Sequence, residues 1–201
     1  MDMAGKTIGF GVTGSHCTYH EVYPQMQRLV AAGARVIPIV SGTVLGTSTR
    51  FGEAGEWAQR MRELTGEALV ESIPQAEPFG PQRVLDCMLI APCTGSSLSR
   101  FANAQNDSPV LMAAKATLRN QRPVVIAIST NDGLGLNAPN IATLLNAKHV
   151  YFVPFGQDDP DVKVNSLVAN MELIIPTIAA ALEGRQLQPV LIERRRASKG
   201  A

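Results

Sequence analysis

Five uninterrupted apolar runs of strand length, separated by helical patterns, constrain this chain more than any other feature. They occupy residues 7–12, 35–40, 87–91, 123–128 and 150–153. Runs that do not alternate with polar residues suit strands covered on both faces, as in a parallel sheet. A shorter candidate strand lies at 68–72. Between the runs, Val22, Met26, Leu29 and Val30 form a helical stripe that Gly33 closes as a C-terminal cap residue should. Trp57, Met61 and Leu64 form a second stripe closed by Gly66, and Ala113, Ala116 and Leu118 a third. Residues 164–182 read as a long final helix kinked at Pro176, and 74–81 as a loop. The βαβα order predicts right-handed crossovers and a doubly wound parallel sheet, a three-layer α/β/α domain. The 201 residues suit one such domain over 1–184, followed by a tail over 185–201. In the tail, 189–192 reads as strand-like and Arg194-Arg195-Arg196 as a solvated run.

Composition removes several classes of function. A net charge of +1 gives no general grip on nucleic acid or on a membrane surface. Aromatic residues at 5% leave few platforms for stacking bases. No apolar stretch reaches the ~20 residues that span a bilayer. Charged residues at 17% against 45% apolar suggest much buried surface, part of it between subunits. Cys17, Cys87 and Cys93 form no CxxC pair and no zinc spacing, so no metal site is expected. An odd cysteine count and an N-terminus without a signal-peptide pattern point to a reducing cytosol.

The first strand runs into Gly9-Phe10-Gly11-Val12-Thr13-Gly14, a G-x-G-x-x-G pattern between a strand and a helix. Such a turn lets a phosphate approach free N–H groups, and Thr13 and Ser15 add hydroxyls. A dinucleotide site also needs an acid after the second strand to hold the ribose. Here that strand ends Val40-Ser41-Gly42-Thr43, so Ser41 suits a further phosphate contact better. NADP stays open, with Ser41 at a 2′-phosphate and Arg50 as the nearest cation.

Two more polar segments follow strands on the same sheet edge. After Ile90-Ala91-Pro92-Cys93 come Thr94, Gly95, Ser96 and Ser97, whose N–H and hydroxyl groups open a helix. After Ala127-Ile128 come Ser129, Thr130, Asn131 and a glycine-containing loop to Asn137, with amides that donate and accept. A crevice is expected outside the carboxyl ends of the strands, where their order reverses.

Together, the Gly14-Ser15 turn, the Pro92-Cys93-Thr94-Gly95-Ser96-Ser97 loop and the Ile128-Ser129-Thr130-Asn131 loop resemble those of a flavoprotein superfamily. It includes the flavin-containing cysteine decarboxylases and the flavin prenyltransferases. The resemblance covers roughly residues 5 to 195. It implies a Rossmann-like flavoprotein fold, homo-oligomers often built from trimers, and bound flavin mononucleotide (FMN). Gly14, Ser15 and Ser41 would lie at the phosphate and ribityl chain, and Thr94, Gly95, Ser96 and Ser97 would line the cofactor. Ser129 stands where the prenyltransferases carry an arginine, and Asn131 matches the decarboxylases' clamp asparagine. The decarboxylases' mid-chain histidine is absent, since no histidine lies between His20 and His149. The prenyltransferases' third-loop arginine and glutamate are absent too. His16 either touches a ligand carboxylate or phosphate or caps the helix. The resemblance implies an oxidoreductase component in the mother-cell cytoplasm of a sporulating bacterium. It would work on a small dicarboxylate with a companion subunit that binds NAD(P). A scaffold subunit with a vestigial phosphate site, or a decarboxylase or prenyltransferase, is the alternative.

Overall fold

The computed structural model describes residues 2–49, 52–53 and 55–193. Arg50 and the basic run Arg194-Arg195-Arg196 lie outside the described residues. The chain begins with β1 (Thr7–Val12), α1 (Tyr19–Ala31), β2 (Arg35–Val40), α2 (Gly42–Gly46) and α3 (Glu56–Thr65). It continues with α4 (Ile73–Ala76), α5 (Phe79–Gln82), β3 (Cys87–Cys93), α6 (Gly95–Ala102) and α7 (Pro109–Arg119). Then come β4 (Val124–Thr130), α8 (Ala138–Leu145), β5 (Val150–Phe152), β6 (Phe155–Gly156), β7 (Leu167–Ala169) and α9 (Ile174–Leu182).

The first five strands are parallel in the order β2-β1-β3-β4-β5, the doubly wound arrangement expected. β3 and β4 are buried at every residue, which is why their sequences show no alternation. The 68–72 segment contributes a single parallel bridge, Ile39 to Val70. Gly33 and Gly66 end α1 and α3 with positive φ, as their positions in the sequence require.

Three expectations are corrected. Residues 164–182 are not one helix. Leu167–Ala169 is a buried strand, antiparallel to the end of β4 through Ser129↔Val168 and Thr130↔Leu167. Asn170 Oδ1 then accepts the Glu172 N–H at 3.1 Å and starts a short 3-10 turn. Pro176 falls in the first turn of α9, where a missing N–H costs nothing, so it marks a helix start and not a kink. The strand 167–169 and the helix 174–182 are both largely apolar because both are buried, and that hides the change of period.

Residues 74–81 are not a loop. Pro74 opens α4, and Ala76 and Phe79 bury against the α7 side of the sheet. Asn120 Nδ2 fixes α5 by donating to the Gly80 carbonyl at 2.9 Å.

Finally, Gly9 and Gly11 lie inside β1 and serve packing, not a phosphate turn. A Cβ on Gly11 would come within 2.6 Å of Met88 Cε, 2.8 Å of Val110 Cγ1 and 3.1 Å of the Leu89 carbonyl. Gly11 therefore sets how closely α7 approaches the sheet. Gly11→Ala is expected to cost about 1–3 kcal/mol by overpacking, read as a lower melting temperature. An unchanged melting temperature would contradict this packing.

The 189–192 segment joins the sheet by one parallel bridge, Phe155 to Leu191. Gln186 ties the chain before it to Phe152, accepting its N–H at 2.8 Å and donating to its carbonyl at 2.7 Å. Among the described residues no helix is long and apolar enough to cross a membrane.

Candidate functional site

The sheet order 2-1-3-4-5 reverses direction between β1 and β3, so the crevice must open at their carboxyl ends. The local sequence makes those ends polar and then ties them together. Between Ile90 and Cys93, β3 carries one residue more than β4 opposite it. Proline suits such a bulge because it has no N–H to leave unpaired. The Pro92 carbonyl accepts a hydrogen bond from Thr13 Oγ1 at 2.7 Å. The same Oγ1 accepts the Thr94 N–H at 3.1 Å. One buried threonine thus joins the first polar loop to the second. Tyr19, the first residue of α1, donates its hydroxyl to the Thr13 carbonyl at 2.8 Å.

The first loop is tied to the third by Ser15 Oγ and Ser129 Oγ, 2.8 Å apart. The second is tied to the third at Gly95, where a Cβ would sit 2.5 Å from Thr130 Oγ1 and 2.7 Å from both Asp132 Oδ1 and Asn137 Nδ2. The first meets the end of β2 at Gly14, where a Cβ would be 2.8 Å from Thr43 Cγ2. The Ser41 N–H also donates to the Val12 carbonyl at 3.0 Å. Four strand ends therefore form one connected rim.

Of the residues singled out from sequence, Thr13, Gly14, Ser15, Ser41, Thr94, Gly95, Ser97 and Ser129 belong to this rim. Thr94 caps α6, its Oγ1 accepting the Ser97 N–H at 3.2 Å and bonding to Ser97 Oγ at 3.0 Å. Ser96 and Asn131 are exposed at its edge. The Ser41 hydroxyl stands at the start of α2 without capping it. Ser41 Oγ and His16 Nε2 are both shielded from solvent and have no hydrogen-bond partner. Unpartnered buried polar atoms are costly and uncommon, and at a crevice they fit a ligand that supplies the missing partners. His16 lies against the Tyr19 ring, 4.9 Å between centroids, and burial lowers its pKa below the ordinary imidazole value.

Sequence reasoning passed over Asp132, which organises the third loop. Its carboxylate accepts from the Thr130 hydroxyl and from Asn137 Nδ2, the latter at 2.9 Å to each oxygen. Asn140 Nδ2 then donates to Asn137 Oδ1 at 3.0 Å. The Thr130 hydrogen bond, aided by Asn137, holds the carboxyl below its usual range against the opposing effect of burial. Asp132 is therefore ionised, and it stands beside Gly95 at the first turn of α6. The signal in the sequence was Asn137-Ala138-Pro139, a helix start whose asparagine needs a local partner.

Cys87 and Cys93 are buried free thiols; burial pushes Cys93 up to about 12 and Cys87 higher still. Neither is a nucleophile. Among the described residues, no three His, Cys, Asp or Glu side chains are grouped to hold a metal.

The doubly wound sheet agrees with the comparisons to known proteins. The family model described as Flavoprotein matches residues 1–174, and the chain belongs to that family. Over 191 residues it is 58% identical to the B subunit of dipicolinate synthase from Bacillus subtilis (strain 168), covering 95% of this chain and 96% of that one. The crystal structure of the dipicolinate synthase B subunit from Bacillus halodurans C superposes with a TM-score of 0.90 at 62% identity, covering 97% of this chain and all of that one. The FMN-dependent cysteine decarboxylase SpaF shares the fold, with a TM-score of 0.63 at 14% identity over 90% of this chain and 98% of its own.

Proposed function

We propose that this chain is the FMN-binding subunit of a dipicolinate synthase. With the companion subunit of that enzyme it takes part in oxidising dihydrodipicolinate to pyridine-2,6-dicarboxylate during sporulation. The observation that carries the flavin reading is the pair of buried, unpartnered atoms, Ser41 Oγ and His16 Nε2, on a rim otherwise lined by hydroxyls. The relation to two proteins that bear the name of the dipicolinate synthase B subunit carries the reaction and the partner.

In this reading Gly14, Ser15, Ser41 and Ser129 receive the phosphate and ribityl chain, with Thr13 holding that turn in place. The phosphate belongs on this side because Asp132 already sets a negative charge beside the start of α6. Thr94, Gly95, Ser96 and Ser97 line the cofactor, and Asn131 at the exposed edge reaches toward the ring or the substrate. Oxidation of the dihydropyridine removes a hydride and a proton, driven by the gain of aromaticity. Bound flavin supplies a hydride acceptor for that chemistry. NAD(P) is assigned to the companion subunit, and the working form is a cytoplasmic oligomer of both proteins in the mother cell.

Reconstitution tests this. The chain, its companion and dihydrodipicolinate are mixed, and dipicolinate is followed by its ultraviolet absorption with and without FMN. Turnover that needs both the chain and FMN supports the proposal. Full turnover by the companion alone makes this chain non-catalytic.

A further inference from the structure

A phosphate monoester carries close to two negative charges at neutral pH, yet the rim described above offers it hydroxyls and N–H groups and no fixed positive charge. No lysine or arginine occurs in residues 7–27, 36–49, 84–99 or 123–147, the segments that supply its strands and loops. Hydroxyls and N–H groups can orient the anion, but they do not balance its charge. One side chain directly beside Gly14-Ser15 can acquire a positive charge and has a nitrogen without a partner. We propose that His16 is the cationic contact to the FMN phosphate, so that cofactor binding draws a proton onto the protein. The assignment rests on the flavin reading above.

Several features converge on His16. Its Nε2 is shielded from solvent and makes no hydrogen bond, so a ligand oxygen would complete it. Its ring is set in place against Tyr19, which is held in turn by its bond to Thr13 and by edge contact with Trp57, 5.5 Å between centroids. The titratable neighbours on its own turn are Cys17 and Tyr19, and Glu21 further on pairs with His20. The groups that meet this turn from β4, from α2 and from α3 are Ser129, Thr43 and Trp57, all uncharged. Among the described residues no carboxylate pairs with His16, so none of them stabilises its cation before a ligand arrives. Burial disfavours the charged ring in the free protein, and a dianion at Nε2 raises its pKa. Affinity for FMN is then greatest at low pH and falls as pH rises through the bound-state value.

The test is FMN affinity as a function of pH, measured by quenching of flavin fluorescence. The window runs from about pH 6.5 to 8.5, above the second phosphate ionisation near 6. Each unit by which the bound-state imidazole pKa exceeds about 6.5 appears as about a tenfold loss of affinity across this window. Wild-type protein is expected to show that loss. His16→Gln should bind with a nearly flat profile that meets the wild type at high pH. Riboflavin, which lacks the phosphate, should give flat profiles with both proteins. His20→Gln, on an exposed side chain, should keep the wild-type slope.

If His16→Gln fails to fold, calorimetry of wild-type protein in two buffers of different ionisation enthalpy serves instead. Protons should be taken up with FMN and not with riboflavin. The same slope in His16→Gln and wild type overturns the proposal, as does a riboflavin profile with that slope. A His16-dependent slope seen only for dipicolinate would assign His16 to a substrate carboxylate and overturn the phosphate contact. FMN binding with a slope independent of His16 refutes this inference alone, whereas no FMN binding at any pH refutes the flavin reading with it.

Discussion

Replacing Thr13 with valine is expected to lower the melting temperature by about 5–15 °C, one of the largest effects of any conservative change in this chain. Valine matches threonine in shape, so no cavity forms at a position that is 2% exposed. What disappears is one hydroxyl with two backbone partners, the Pro92 carbonyl and the Thr94 N–H. Each buried group left unpaired costs about 1–3 kcal/mol, and for a domain of this size each kcal/mol lowers the melting temperature by about 2–4 °C. Thr13→Ser keeps the hydroxyl and should recover most of the loss. The change also reaches the site, because the β3 bulge and the start of α6 are positioned through this one atom. FMN affinity should fall with it. A thermal melt of both variants checks the account; equal stability of Thr13→Val and wild type would contradict it.

The second large effect is expected at Asp132. Removing its carboxylate in Asp132→Ala leaves the Asn137 amide, 5% exposed, and the Thr130 hydroxyl, 9% exposed, without their acceptor. The cost is about 2–5 kcal/mol. Because the loss is local, residues 131–137 should become sensitive to protease before the rest of the fold does. Asp132→Asn keeps one acceptor oxygen and should be milder. The pH dependence has a definite sign. The folded pKa of Asp132 is depressed below its ordinary value of 3.8, so its contribution is complete above that value. It is lost as pH falls below about 4 and the carboxyl protonates in the folded protein. Wild type should therefore lose more stability than Asp132→Asn between about pH 5 and 3. Parallel loss in the two proteins would show that Asp132 does not organise the loop.

The sheet was legible in the sequence because a strand covered on both faces leaves an unbroken apolar run. Residues 7–12, 35–40 and 150–153 needed little or no correction. The same rule failed at 164–182, where a buried strand and a buried helix are both largely apolar and the short turn from Asn170 to Leu173 marks the boundary. The G-x-G-x-x-G pattern was half misleading: Gly14 is in the turn, whereas Gly9 and Gly11 answer to Met88 and Val110 across the sheet. The three polar loops could be read as facing one edge, since all follow parallel strands. Which atoms join them could not. That Thr13 would bridge Pro92 and Thr94 depends on a bulge set by the register of β3 against β4. That Asp132, and not Asn131, would organise the third loop depends on the turn between Thr130 and Asn137, which brings both of those side chains to its carboxylate.

The rim around Gly14, Ser15, Ser41 and Ser129 is the proposed seat of flavin mononucleotide. Equilibrium dialysis of the purified chain against FMN, followed by its absorption spectrum, tests this most directly. One FMN per chain is expected, with a flavin band perturbed from that of the free cofactor, and with binding sharply weakened by Ser15→Ala combined with Ser129→Ala. A colourless protein that takes up no FMN, or binding that the double substitution leaves untouched, would contradict the account.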